Sequence, residues 1–296
     1  METLRRLAWL TVVISLGTVI LGSWTRINGA GMTCPDWPLC RGEVVPSLAD
    51  GTIWEWTHRL FAFSLGPLVL ALLAAAWFQR RRSRLIPPTA IAVAGLLGVQ
   101  IFLGAATVHL NNSPLSVVLH WGTAMAFIAS LVALAIFARD ERQAISPSAL
   151  TLGLAMTAIA AFATMCVGAY VSSSGAGLAC LSVPECAGHV VTYSPGQVIQ
   201  MLHRGLAAIT LLAIAIMFGW SFLTQTSRRV RSATTIAVVL IMVQILLGLL
   251  NVVWRLPTDL REAHALNAAL LFLSLIVATV FSAIERDRTQ LATVRT

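Results

Sequence analysis

Four histidines recur in register along this chain. His58 and His203 stand 145 residues apart, and His120 and His264 stand 144 apart. His58 is followed by Arg59 and His203 by Arg204. Glu55 lies three residues before His58, and Gln200 three before His203. Two loops add cysteines in the same spacing, C-x5-C: Cys34 with Cys40, and Cys180 with Cys186. These residue types can ligate a metal, carry protons near neutral pH, or close disulfides. A lone histidine would read as a hydrogen-bonded interfacial side chain. Four in a repeated register ask for a shared scaffold that aims them.

That scaffold is a membrane. Of 296 residues 57% are apolar and 11% charged, with a mean hydropathy of +0.83. A soluble domain carries about 25% charged residues. The expected fold class is all-α, a polytopic membrane protein. Eight runs approach the length needed to cross a bilayer: about 7–25, 56–78, 89–109, 117–138, 149–171, 201–223, 233–254 and 264–284. The first is too long for a signal-peptide core and has no small-residue cleavage site after it, so it reads as an anchor.

All 20 basic residues are arginines. They lie mostly in short loops, which reads as topogenic charge and speaks against a nucleic-acid partner. One set of loops and ends holds 14. The other holds six: Arg26, Arg41, Arg59, Arg204, Arg255 and Arg261. The positive-inside rule then puts both termini in the cytoplasm and the cysteine loops on the outer, oxidising face of the cell membrane. There Cys34–Cys40 and Cys180–Cys186 are expected to form two short-range disulfides. Cys166, inside the fifth span, reads as small apolar filler.

The echo runs through the chain. "GSWTRINGAGMTCPDWPLC" (22–40) returns as "GAYVSSSGAGLACLSVPEC" (168–186), and "VQIFLGAATV" (99–108) as "VQILLGLLNV" (243–252). The expected organisation is two four-helix halves, 1–144 and 145–296, as tandem bundles related by a pseudo-two-fold axis along the membrane normal. The polar stretch "RDERQAISPS" joins them. Alternate helices of an up-down bundle lie across its diagonal. His58 and His120 can therefore face one another near the outer end of the first half, and His203 and His264 in the second. Two facing imidazoles suit the axial positions of haem iron. Zinc wants four ligands, or three and a water.

The neighbours allow more than one reading. Arg59 and Arg204 could pair with haem propionates or extend to lipid headgroups. Gly104 and Gly248 could leave room for a flat ring or allow close helix packing. Gln100 and Gln244 read as interhelical hydrogen bonders. His109 and His189 have no repeat partner and read as loop histidines. The halves differ at Glu55 against Gln200. Glu55 could handle a proton or be a solvated residue favoured at a helix start. Asp36 and Trp37, against Ser182 and Val183, fit turn chemistry and interfacial anchoring. The first half is thus the candidate for catalysis and the second for an electron-transfer haem.

With "GAGMTCPDWPLC", "EWTHRLFAFSLG", "LHWGTA", "MLHRGLA" and "EAHALNAAL" in order on eight spans, the chain resembles the haem A synthase family of cytochrome oxidase assembly enzymes. The cysteine loops resemble its bacterial branch; the mitochondrial branch generally lacks them. The resemblance implies oxidation of a ring methyl of haem O to the formyl group of haem A, through an alcohol and a geminal diol. It implies that His58 and His120 flank the substrate haem, that His203 and His264 ligate haem b, and that Glu55 is functionally important. Cys34 and Cys40 match a pair tied to electron delivery or structure, and Cys180 and Cys186 a second disulfide. Implied partners are haem O, a haem O synthase, cytochrome oxidase assembly factors and membrane lipid, with room for a homo-oligomer. The main competing reading is a dihaem b-type cytochrome that leaves haem unmodified. A thiol oxidoreductase is disfavoured by the C-x5-C spacing, and a transporter by the lack of a broken helix or buried charge pair at mid-membrane.

Overall fold

A computed structural model describes residues 1–139, 145–186, 188 and 194–284. Eight long helices carry these residues: α1 (Glu2–Ile27), α2 (Thr52–Gln79), α3 (Ile86–His109), α4 (Pro114–Phe137), α5 (Ala149–Ser173), α6 (Pro195–Leu223), α7 (Arg228–Val253) and α8 (Thr258–Ile284). A single 3-10 turn, Ala176–Leu178, follows α5. Each helix is long and apolar enough to cross a bilayer. The fold class is the expected one, all-α and multi-pass.

Several helices start earlier than their apolar runs. α6 begins at Pro195, where the Ser194 hydroxyl accepts from Gln197 N and the Gln197 side chain accepts from Ser194 N. α5 is capped the same way by Ser148 and Thr151. Such reciprocal caps satisfy the first orphan amides and let a helix open on polar residues. α2 begins at Thr52, so Glu55 and His58 share one helical face.

The helices pack as neighbours in sequence and then across a seam. α1 touches α2 and α4, and α3 touches α2 and α4. α5 touches α6 and α8, and α7 touches α6 and α8. α4 meets α5 and α8, and α1 meets α8. The largest apolar cluster runs through this seam, with Met125, Ile128, Leu131 and Leu134 of α4 fully buried. α1 buries mainly small residues, among them Ala8, Thr11, Ser15 and Thr18, which lets backbones approach closely in lipid. Large apolar side chains such as Leu70, Phe102, Leu152 and Leu212 point outward, as suits contact with lipid tails.

Both cysteine loops are closed. Cys34–Cys40 and Cys180–Cys186 form disulfides, and the X-Pro bonds Trp37–Pro38 and Val183–Pro184 are both cis. Arg142, Arg286, Arg288 and Arg295 of the charge count, His189, and most of the polar joining stretch lie outside the described residues.

Candidate functional site

The histidines arrive on four helices, and each is held by a contact repeated in the other half. His58 of α2 donates from Nδ1 to the Thr18 carbonyl of α1 at 2.9 Å. His203 of α6 donates from Nδ1 to the Thr164 carbonyl of α5 at 3.1 Å. A carbonyl can only accept, so this bond fixes the tautomer and leaves Nε2 with a free lone pair. His120 of α4 takes its contact at Nε2, 3.3 Å from Gln100 Nε2, and His264 of α8 at 3.1 Å from Gln244 Nε2. The Nδ1 atoms of His120 and His264 are buried without a hydrogen-bond partner. His58 and His120 are neighbours in the first half, and His203 and His264 in the second. Among the described residues no group of three or more metal-ligating side chains converges.

Four glycines make room for the four rings. A Cβ on Gly22 would stand 2.6 Å from His58 Cε1, and one on Gly168 2.8 Å from His203 Cε1. On Gly104 and Gly248 a Cβ would stand 3.3 Å from Cε1 of His120 and His264. The space beside Gly104 and Gly248 is therefore taken by imidazoles.

Glu55 and Arg59 face the cysteine loop. Glu55 is 4% exposed. Its Oε2 accepts from Cys34 N and the Thr33 hydroxyl, each at 2.9 Å, and its Oε1 pairs with Arg59 at 2.7 Å. Arg59 also donates to the carbonyls of Cys34, Asp36 and Leu39. The second half keeps the outline without the charge. Gln200 accepts from Cys180 N at 2.6 Å and donates to the Gly177 carbonyl at 2.9 Å. Arg204 donates to the carbonyls of Cys180, Ser182, Pro184 and Glu185. Both arginines thus fasten a disulfide loop onto the helix that carries a histidine, one residue beyond it. Glu55 is a buried, paired carboxylate rather than a solvated one at a helix start.

Asp36 has a local task. Its carboxylate accepts from the amides of Gly42 and Arg41. Those amides, Gly42 foremost, hold its pKa below the usual carboxylate value. His109 ends α3 in an exposed position. Cys166 has no disulfide and packs against Gly122.

Sequence reasoning missed three elements. The Thr18 and Thr164 carbonyls carry no side-chain signal. Gly22 and Gly168 recur in register, which was their only mark. Asn267 donates to Gln244 Oε1 at 2.7 Å and so pins the glutamine beside His264. Its first-half equivalent is Thr123, and there Gln100 Oε1 is buried without a partner.

The sequence model of a family described as cytochrome oxidase assembly protein matches residues 5–51 and 47–276. The chain is 31% identical to the heme A synthase of Bacillus licheniformis over 92% of its own length and 93% of that protein's. It is 30% identical to the heme A synthase of Alkalihalophilus pseudofirmus over 93% and 97%. With that of Shouchella clausii the figures are 31% over 91% and 93%.

Proposed function

The chain belongs to the cytochrome oxidase assembly protein family, and from that premise we propose that it is an oxidoreductase converting haem O to haem A. The reaction turns a ring methyl of haem O into a formyl group. The observation that carries the reading beyond the family is the pair of histidine sites that match in outline and differ in detail.

We assign the substrate to the half formed by residues 1–144, between His58 and His120, and haem b to the half formed by residues 145–296, between His203 and His264. The fit of a planar iron-centred group rests on the histidines themselves. In each half one ring has a carbonyl-oriented Nδ1 and a free Nε2, and the other has a buried nitrogen lacking a partner. Such a buried nitrogen is costly unless something satisfies it. When bound, haem b supplies one-electron transfer. The rest is the work of the chain. Asn267, Gln244 and His264 form a connected set that suits a resident group. Gln100 lacks that tie, which suits a substrate that must enter and a product that must leave.

Glu55 is the carboxylate of the first half that the second half has lost. It fixes the Cys34 loop over the first turns of α2, and Arg59 draws the loop carbonyls to the same point. Proton handling by Glu55 in turnover requires exchange of one of these contacts. Arg59 and Arg204 hold the loops as positioning residues, and each would present its guanidinium beside the haem of its own half.

The protein sits in the cell membrane, with both termini on the cytoplasmic side and the cysteine loops outside. Haem O is delivered by the enzyme class that makes it, and haem A passes to oxidase assembly. The test is co-expression with a haem O-forming enzyme in cells lacking haem A, followed by acid extraction and chromatography of the haems. Haem A or its alcohol precursor is expected. His58→Ala should abolish it while the purified protein keeps haem b, and His203→Ala should lose haem b. Unchanged haem O from a well-folded protein would overturn the reading in favour of a dihaem electron carrier.

A further inference from the structure

At the end of the molecule bearing the cysteine loops, the two halves border an open cavity of about 360 Å³. Arg26 of α1, Ser172 of α5, Arg261 of α8, Asn112, and the loop glycines Gly29 and Gly175 line it. Arg26 and Ser172 hold the same place in the repeat, 146 residues apart, as do Gly29 and Gly175. The Arg26 guanidinium donates to the Ser172 hydroxyl at 3.1 Å. Equivalent positions from the two halves meet only where the halves face each other, so the cavity sits at the centre of the seam.

Its charge is unbalanced. Arg26 and Arg261 are close enough to repel, and neither forms an ion pair among the described residues. The lining holds two arginines and no carboxylate; Glu262, behind Arg26, is buried with both carboxylate oxygens lacking a hydrogen-bond partner, and Asp259 shares the first turn of α8 with Arg261. Arg261 also lies in the first turn of α8, where the helix adds positive potential. The charge is not inherited from the repeat. Ser172 stands opposite Arg26, and the counterpart of Arg261 is Val117.

We propose that this cavity binds one phosphate group, which bridges Arg26 of the first half to Arg261 of the second. Guanidinium groups match phosphate oxygens in paired, charge-assisted hydrogen bonds, and a tetrahedral anion offers oxygens to two of them at once. The remaining sides are glycines, Asn112, Ser173 and one apolar side chain, Met32, with the Ser172 hydroxyl at hand. A phosphate there ties the substrate half to its partner at the outer rim. Its source is a lipid headgroup or dissolved phosphate.

The experiment follows the thermal midpoint of the purified full chain in nonionic detergent. One arm titrates phosphatidylglycerol against diacylglycerol, which lacks the phosphate. A second titrates inorganic phosphate against chloride at fixed ionic strength. A saturable rise in midpoint is expected, with Arg26→Gln and Arg261→Gln each weakening the half-saturating concentration at least about tenfold, as loss of a charge-assisted contact implies. Arg5→Gln, at the opposite end of α1, should leave it unchanged. A rise with the lipid alone assigns the headgroup, and a rise with both assigns the phosphate group itself. No rise in either arm, or a rise that survives Arg261→Gln, overturns the proposal. Should Arg26→Gln fail to fold, Arg261→Gln decides alone.

Discussion

Glu55→Gln is the most informative single change, because the chain carries its own control. The substitution keeps the side chain's size and an acceptor for Cys34 N, and it removes the charge facing Arg59. Gln200 already makes such contacts, to Cys180 N at 2.6 Å and the Gly177 carbonyl at 2.9 Å. Gly31 occupies the place of Gly177 in the first half. What is lost is the ion pair at 2.7 Å, since the oxygen kept for Cys34 N is the one that also accepts from the Thr33 hydroxyl. Breaking a buried pair costs about 3–5 kcal/mol when the other charge is stranded. Arg59 is not stranded, since three loop carbonyls still face it. Arg204 stands on four such carbonyls with no carboxylate at position 200. The expected loss is therefore that of one hydrogen bond to a charged group, about 1.5–3 kcal/mol. Glu55→Ala also orphans Cys34 N and opens a void beside Arg59, so the full loss of about 3–5 kcal/mol is expected. Thermal unfolding of the three proteins in one detergent should rank wild type above Glu55→Gln above Glu55→Ala. Haem A formation measured in parallel separates position from charge, and activity lost in a folded Glu55→Gln protein assigns a task to the charge. Equal midpoints for the two variants, or a Glu55→Gln midpoint equal to wild type, would refute the positional argument.

The glycine cradle makes a graded prediction. Gly168→Ala, with a Cβ 2.8 Å from His203 Cε1, should displace the ring and weaken haem b binding more than Gly248→Ala, where the gap to His264 is 3.3 Å; overpacking of this kind costs about 1–3 kcal/mol, and the haem spectrum of each purified variant reads it. Gly22→Ala should leave that spectrum intact and lower haem A formation. Asp36 stabilises its loop at neutral pH. Because its folded pKa is depressed, that contribution is present above the usual carboxylate range and fades as pH falls through the lowered value. The stability difference between wild type and Asp36→Ala, followed by proteolysis of the loop, should shrink in that window. Reducing Cys34–Cys40 removes a short loop closure, about 2 kcal/mol on the chain-entropy account. The Arg59 contacts should keep the loop on α2, so a Cys34→Ser/Cys40→Ser protein is expected to remain folded and to lose more stability when Arg59→Gln is added.

The sequence by itself determined the spans, the repeat and the residues worth watching. Apolar length is a local property, and a bilayer demands that each run satisfy its own backbone, so eight helices followed from composition. Register is equally local, which is why His58, His120, His203 and His264 could be matched across 144 and 145 residues, and why the two cysteine pairs were legible. Tertiary structure alone decided what each group touches. Arg59 and Arg204 sit one residue past a histidine, and their side chains turn to the loops because carbonyls there converge on them. Gly104 and Gly248 lie against the His120 and His264 imidazoles, a contact that their spacing alone does not announce. The Thr18 and Thr164 carbonyls, the Asn267 tie to Gln244 and the meeting of Arg26 with Ser172 depend on how far each helix is rotated and how deep it sits. Those are set by packing between helices, and no spacing within one helix encodes them.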